Sequence, residues 1–359
     1  MSVLCSRKFL WILCVALFCL FVLPSAWYHR DRLHSFKFSS NGPMPTRTPP
    51  RLFHLLPANR AGAGPFFCKA LMSSLIHGYS PIILNWEAEG DSSYMQRLKV
   101  AGVYEFLSQL PSANDDDVVF MMDAWDVWLQ LPPETLLERY AEHGSDVVIG
   151  ADMLCWPNGL DEPACRDVPE SPVPEDAYGD ALSCDPECLA HGGLLSTRPR
   201  WANSGTIIGA VKSMKEVYRD LTAQLSEWAY TDQGIFNEFL HEGRITLDYY
   251  SRLFWANAHN VDAGVIINTR YPVSTTDTVI PYQLLPPLLF HSRTGEYPVA
   301  IHFNARFHKN LMNDWWGRLW WTQPGFRSIW EGRLEAGTVH FAHNTSTLRW
   351  KDFCDMSEL

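Results

Sequence analysis

From Arg51 onward, short apolar runs of strand length alternate with longer runs of helical length: RLFHLL, FFCKALMSSLIHGY, PIILNW, SYMQRLKVAGVYEFLSQL, DVVFMM, PETLLERYAEHG and DVVIGA. A strand that is apolar on both faces must be covered on both, and a helix between two such strands joins them in parallel. The alternation predicts an α/β domain with a Rossmann-like, mainly parallel central sheet flanked by helices. Beyond a Cys/Pro-rich insertion over 157–200, a second block continues with SGTIIGAV, SMKEVYRDLTAQLSEW, DQGIFNEFLHEG, RITLDYYSRLFW and PVAIHFN.

With 359 residues, 47% hydrophobic and 19% charged, the chain can bury a large core, which excludes a disordered polypeptide. The formal charge is −11, yet residues 1–60 hold eight of the 29 Lys and Arg and one of the 40 acids, so the remainder carries −18. A body that acidic repels phosphate backbones, and no nucleic-acid partner is expected. Fifteen tryptophans suit either a rigid aromatic core or flat surfaces on which sugar rings stack.

Phe9 to Leu23 carries no charge, and Pro24 to Tyr28 prolongs the stretch to about 20 residues, close to the span of a hydrocarbon core. Residues 9–28 are read as an uncleaved signal anchor. A removed signal peptide is the weaker reading, because Pro24 stands where cleavage at Ala26 needs a small residue. Residues 1–8 are then a cytosolic tail, 29–50 a basic Ser/Pro-rich stem and 51–359 a single lumenal domain. This is the layout of a single-pass type II protein of the Golgi or endoplasmic reticulum membrane, with a secreted product as the alternative. The body's cysteines are Cys68, Cys155, Cys165, Cys184, Cys188 and Cys354. Disulfides are preferred to a zinc site, since the Cys184/Cys188 spacing has no matching pair. The sequon at Asn344 agrees with a lumenal body.

The sharpest local feature is Val118-Val119-Phe120-Met121-Met122-Asp123-Ala124-Trp125-Asp126, an apolar strand that ends in two carboxylates. Ligands of open α/β sheets gather at such strand ends. Carboxylates there need a cation or hydrogen bonds to offset desolvation, and two of them three residues apart can share one divalent ion. The plainer alternative is a turn whose Asp caps the helix after Pro132, but that accounts for one acid at most. His302 also follows an apolar run. On the residues alone a satisfied core histidine is the stronger reading for it.

In order and spacing, these segments resemble GT-A glycosyltransferases, in particular the glycosyltransferase domain of the procollagen lysyl hydroxylases. The resemblance runs from about Arg51 to Trp321. It covers the Asp-x-x-Asp motif at Asp123 and Asp126, Ala151-Asp152-Met153-Leu154-Cys155-Trp156-Pro157, Asn203-Ser204-Gly205, Asp232-Gln233, and His302-Phe303-Asn304 followed by Lys309. Thr231 to Asn237 and Ile301 to Phe303 also resemble glycogenin-type enzymes, which share the fold and retain anomeric configuration.

The resemblance implies a GT-A fold, a UDP-sugar donor, a protein or glycan acceptor, and a divalent ion held by Asp123, Asp126 and His302. That mixed O/N set suits Mn²⁺ better than Mg²⁺. It further implies that Lys99, Lys309 and Asn304 meet the diphosphate side and that Trp156 lines the sugar pocket. Asn203, Asp152 and Asp232 then lie at the reacting sugar. Each has a structural reading as well: a solvated helix face for Lys99, core for Trp156, a turn for Asn203, a helix cap for Asp232. The chain departs from the family pattern at Asp152 in place of Glu, at the shortened acidic run before Asp232, and at Asn304-Ala305. With the chain ending at Leu359, no hydroxylase domain is expected. The expected activity is a metal-dependent, retaining hexosyl transfer. The alternatives are a non-catalytic sugar-binding relative and a metal-dependent phosphodiester hydrolase.

Overall fold

The computed structural model describes residues 50–89, 92–184, 186–227, 231–269, 286–304, 309–352 and 354–356. The expected tail, the expected anchor and all of the expected stem but Pro50 lie outside these residues. Among the described residues, no helix is long and apolar enough to cross a membrane.

In chain order the strands are β1 (Leu52–Pro57), β2 (Pro81–Leu84), β3 (Val118–Met122), β4 (Val127–Leu129), β5 (Val147–Asp152), β6 (Trp201–Ala210), β7 (Thr246–Asp248), β8 (Phe254–Ala256), β9 (Gly264–Asn268), β10 (Pro287–His291), β11 (Ala300–His302), β12 (Val339–Phe341) and β13 (Asn344–Leu348). Eleven of them form one sheet in the order β13-β12-β2-β1-β3-β6-β5-β8-β11-β4, with β7 alongside β5. β9 and β10 pair as a separate antiparallel ribbon. The protein is thus a mixed α/β structure around a central, mostly parallel sheet.

Side chains of β3 alternate between two cores, as the period of two requires. Phe120 and Met122 pack with the helix Pro65–Ile76 and the Trp-rich C-terminal helices. Val119 and Met121 pack with the helices Ser92–Gln109, Val211–Glu227 and Asp232–His241. Most of the tryptophans are core: Trp128, Trp201, Trp255, Trp320 and Trp321 are fully buried.

Sequence reading treated SGTIIGAV as one more strand of a mainly parallel sheet, but β6 runs antiparallel to both β3 and β5. The insertion explains the reversal. β5 leaves the sheet at Asp152, the 157–200 segment follows, and the chain re-enters beside β5 at Trp201, so it must run back. The start of β6 therefore shares an edge with the ends of β3 and β5. The register jumps there from Ile149↔Ile207 to Gly150↔Asn203, so Ser204, Gly205 and Thr206 bulge out. RITLDYYSRLFW likewise divides into β7 and β8, because the Asp248 carboxylate accepts hydrogen bonds from the backbone N–H groups of Arg252, Leu253 and Phe254.

The six body cysteines pair as Cys68–Cys354, Cys155–Cys165 and Cys184–Cys188. The last two brace the insertion, whose apolar centre is otherwise a small cluster of Met153, Val173 and Tyr178.

Burial holds three core histidines neutral, lowering His54 and His77 to about 3 and His291 to about 4. Their unfolded values lie near 6.5, so below that pH the unfolded chain takes up protons first and stability falls. At pH 5 each histidine should cost about 2 kcal/mol relative to pH 7. Urea unfolding at the two pH values checks this, and equal free energies would contradict it.

Candidate functional site

A cavity of about 740 Å³ opens along the edge of the sheet where β1, β2, β3, β5, β8 and β11 end and β6 begins. Its volume suits a ligand of nucleotide-sugar size. Asp123, Asp126, Asp152 and Asp232 line it, together with Asn203, His302 and Asn304. Among the described lining residues Lys99 is the sole lysine or arginine.

Asp123 directly follows the buried strand β3, and its N–H donates to the carbonyl of Gly205 in the β6 bulge, 2.8 Å away. Asp126 opens the edge strand β4, and its carbonyl accepts from the N–H of Phe303, which ties it to the end of β11. The helix Pro133–His143 takes no side-chain cap, so the plainer reading of these acids as a cap does not hold. One ligand atom from each of Asp123, Asp126 and His302 lies within 4.8 Å of the others. His302 Nε2 is 3.5 Å from Asp126 Oδ1 and 3.9 Å from Asp123 Oδ2.

This set fits a divalent cation on two further observations. His302 Nδ1 lies 2.7 Å from Asn203 Oδ1, an atom that can only accept, so Nδ1 is the donor there and Nε2 is the ring nitrogen left to face the carboxylates as a ligand atom. The ring also lies where a Cβ on residue 205 would be, so only glycine leaves room for it.

Lys99 is not on a solvated helix face. Its Nζ lies 2.8 Å from Asp123 Oδ1, 2.9 Å from Asp232 Oδ2 and 3.1 Å from the carbonyl of Ser204. The ammonium is thus already engaged by two carboxylates and a carbonyl. Burial works against the ammonium charge, but Asp123 and Asp232 outweigh it and raise the Lys99 pKa. Asp123 is raised by burial first; Asp126 and Asp232 push it the same way, while Lys99 and His302 oppose them.

Asp232 begins the helix Asp232–His241; its Oδ1 accepts from the adjacent Gln233 N–H and its Oδ2 pairs with Lys99, an engagement other than the helix cap. The Asp152 carboxylate is saturated. Oδ1 accepts from Met153 N–H and Leu154 N–H at 2.7 and 3.2 Å, and Oδ2 from the amides of Asn203 and Asn304 at 3.0 and 2.8 Å. Trp156 lines the cavity half-buried, held through its carbonyl by Gln233 and Asn237. Lys309 opens the helix Lys309–Trp316, but its side chain lies outside the described residues.

Sequence reading missed Asn59, Asn85, Trp125 and His259, all of which line the cavity. Asn59 follows β1, Asn85 follows β2 and His259 follows β8, the same strand-end position that singled out Asp123. Applying that rule to every strand finds them. Trp125 was hidden by its acidic neighbours; its indole N–H donates to the Gly62 carbonyl at 2.7 Å.

The family profile described as "PLOD GT domain" matches residues 85–163, which include Lys99, Asp123, Asp126, Asp152 and Trp156. The chain is 22% identical over 237 residues to the Caenorhabditis elegans multifunctional procollagen lysine hydroxylase and glycosyltransferase, covering 64% of this chain and 27% of that protein. It is 26% identical over 144 residues to the Rattus norvegicus multifunctional procollagen lysine hydroxylase and glycosyltransferase LH3, covering 40% of this chain and 16% of that one. The chain therefore matches about a quarter or less of the length of either relative. Among solved structures, the apo WbbM bifunctional glycosyltransferase aligns with a TM-score of 0.35 at 13% identity, over 81% of this chain and 53% of that one. A glycosyltransferase involved in glycosylating the major capsid of PBCV-1 aligns with a TM-score of 0.38 at 11% identity, over 74% of this chain and all of the other. In sequence, then, the chain resembles the glycosyltransferase domain of the procollagen lysyl hydroxylases.

Proposed function

We propose that the protein is a metal-dependent glycosyltransferase of GT-A type that moves a hexose from a UDP-sugar to a hydroxyl of a protein or glycan. The observation that carries this reading is the grouping of Asp123, Asp126 and His302 inside a strand-end cavity of nucleotide-sugar size. Among the described residues, four carboxylates line that cavity against one lysine already engaged, a balance in which an added cation would favour entry of a diphosphate. Asp123, Asp126 and His302 would hold the ion, with Mn²⁺ preferred to Mg²⁺ for the mixed donor set. When bound, the ion acts as a Lewis acid that offsets charge on the leaving diphosphate. The three disulfides favour an oxidising compartment, in line with a lumenal body on a 9–28 anchor. Digestion of that body by protease added to sealed microsomes would reverse this topology.

Transfer is proposed to retain the donor's configuration, with Asp232 beside the reacting face of the sugar. Asp152 accepts four hydrogen bonds and has no lone pair left for an acceptor proton, which argues against it as the general base an inverting reaction needs. Asp232→Asn should lower kcat far more than it weakens UDP binding, since the lost charge acts mainly in the transition state. Proton NMR of the first product from an α-linked UDP-sugar reads the outcome. A β-anomer would overturn retention and leave the metal reading untouched.

A further inference from the structure

We infer that Asp152 is a positioning residue that sets the metal-binding tautomer of His302 through the amide of Asn203. The inference rests on the metal reading above. It concerns a chain of three buried side chains: Asp152, Asn203 and His302 are 5%, 1% and 4% exposed.

The direction of the chain follows from what each atom can do. Asp152 Oδ1 is fixed by two backbone donors, Met153 N–H and Leu154 N–H, so the carboxylate cannot rotate without breaking them. Its Oδ2 is left as an acceptor and draws the NH₂ of Asn203 at 3.0 Å and that of Asn304 at 2.8 Å. With its NH₂ committed there, Asn203 must point Oδ1 the other way, where it accepts from Gly205 N–H at 3.2 Å and from His302 Nδ1–H at 2.7 Å. In the neutral ring this selects the tautomer whose Nε2 lone pair faces Asp123 and Asp126. The arrangement is a carboxylate–amide–imidazole relay, in which an amide stands between the groups of the usual carboxylate–histidine–metal contact. Asn304 is held as a side branch, with its Oδ1 accepting from Ala258 N–H at 2.9 Å. His259 Nε2, 3.9 Å from Asp152 Oδ1, is too far to share in the hydrogen bonding.

The relay predicts that an isosteric change can invert it. In Asp152→Asn the backbone donors hold the new carbonyl oxygen, and the new NH₂ faces the NH₂ groups of Asn203 and Asn304. Asn203 relieves the clash by flipping, its NH₂ then meets His302 Nδ1, and the imidazole proton moves to Nε2, where it blocks a metal. The exchange variant Asp152→Asn/Asn203→Asp restores the order from 152 through 203 to 302, with the side branch at Asn304 left to readjust. The new amide at 152 donates to the new carboxylate at 203, whose other oxygen again accepts from His302 Nδ1–H.

The test has two readouts. Nitrogen-15 NMR of the metal-free protein, with the His302 signals assigned by loss in His302→Gln, reports the tautomer. Calorimetry with MnCl₂ alone reports affinity. The expected result is Nδ1–H in the wild type, Nε2–H in Asp152→Asn with Mn²⁺ affinity lowered about 10- to 100-fold, and recovery of both in the exchange variant. Persistence of Nδ1–H and of Mn²⁺ affinity in Asp152→Asn, or an exchange variant no better than the single one, would overturn the relay. Should Asp152→Asn fail to fold, the exchange variant decides: Nδ1–H supports the relay and Nε2–H ends it. Absence of Mn²⁺ binding to the wild type would instead remove the metal reading, and the tautomers would still test the relay.

Discussion

Replacing Asp126 by Asn is expected to slow sugar transfer by about a thousandfold, about 4 kcal/mol of barrier, while the protein stays folded. Asp126 is the cleaner of the two acids to change, because Asp123 also bonds Lys99 and its loss would disturb that contact. The side chain of Asp126 is 14% exposed and lies just before the edge strand β4, whose backbone pairing with β11 begins at Val127. An amide keeps the shape but removes the charge that offsets a divalent ion, so the loss should appear in turnover and in metal dependence together. Steady-state rates with a UDP-sugar at several Mn²⁺ concentrations measure both. A variant within about tenfold of the wild type would remove Asp126 from the metal site, since loss of a charged ligand costs far more.

Lys99→Met is expected to destabilise the metal-free protein by about 3 to 5 kcal/mol at pH 7, the usual cost of stripping one partner from a buried ion pair. Lys99 is 13% exposed, and its loss leaves Asp123 and Asp232 facing Asp126 without a cation. Asp123 is already raised with Lys99 present, by burial first, and removing the ammonium raises it further. A carboxylate raised in the folded state gains stability as pH falls through that value toward its unfolded pKa near 3.9. The gap between variant and wild type should therefore narrow as the pH is lowered from 7, and should also narrow when Mn²⁺ is added at pH 7. Urea unfolding of both proteins measures the gap. A difference below about 1 kcal/mol, typical of solvent-screened pairs, would show that the cluster does not depend on its lysine.

Much of this was readable in the sequence because it depends on local pattern. VVFMMD states a strand buried on both faces and the acid that ends it, and PETLLERYAEHG states the helix Pro133–His143 with Gly144 closing it in a left-handed turn. What could not be read depends on contacts distant in the chain. Lys99 looked solvated because its partners Asp123, Ser204 and Asp232 lie up to 133 positions away, and the Ser204 carbonyl reaches it only through the β6 bulge. The reversal of β6 depends on where the 157–200 insertion returns, which no periodicity records. His302 was legible as a ligand only by resemblance, because PVAIH reads equally well as the end of a core strand. Asp152 was expected at the reacting sugar, yet its four hydrogen bonds join it to the backbone and to two amides, a role that needs coordinates to see.

The central claim is that the strand-end cavity binds a nucleotide-sugar through a metal held by Asp123, Asp126 and His302. Calorimetric titration of UDP into the purified protein, once with Mn²⁺ and once with EDTA, tests it most directly. The account predicts saturable one-site binding with Mn²⁺ that disappears in EDTA. Equal affinity in both buffers, or no binding in either, would contradict it.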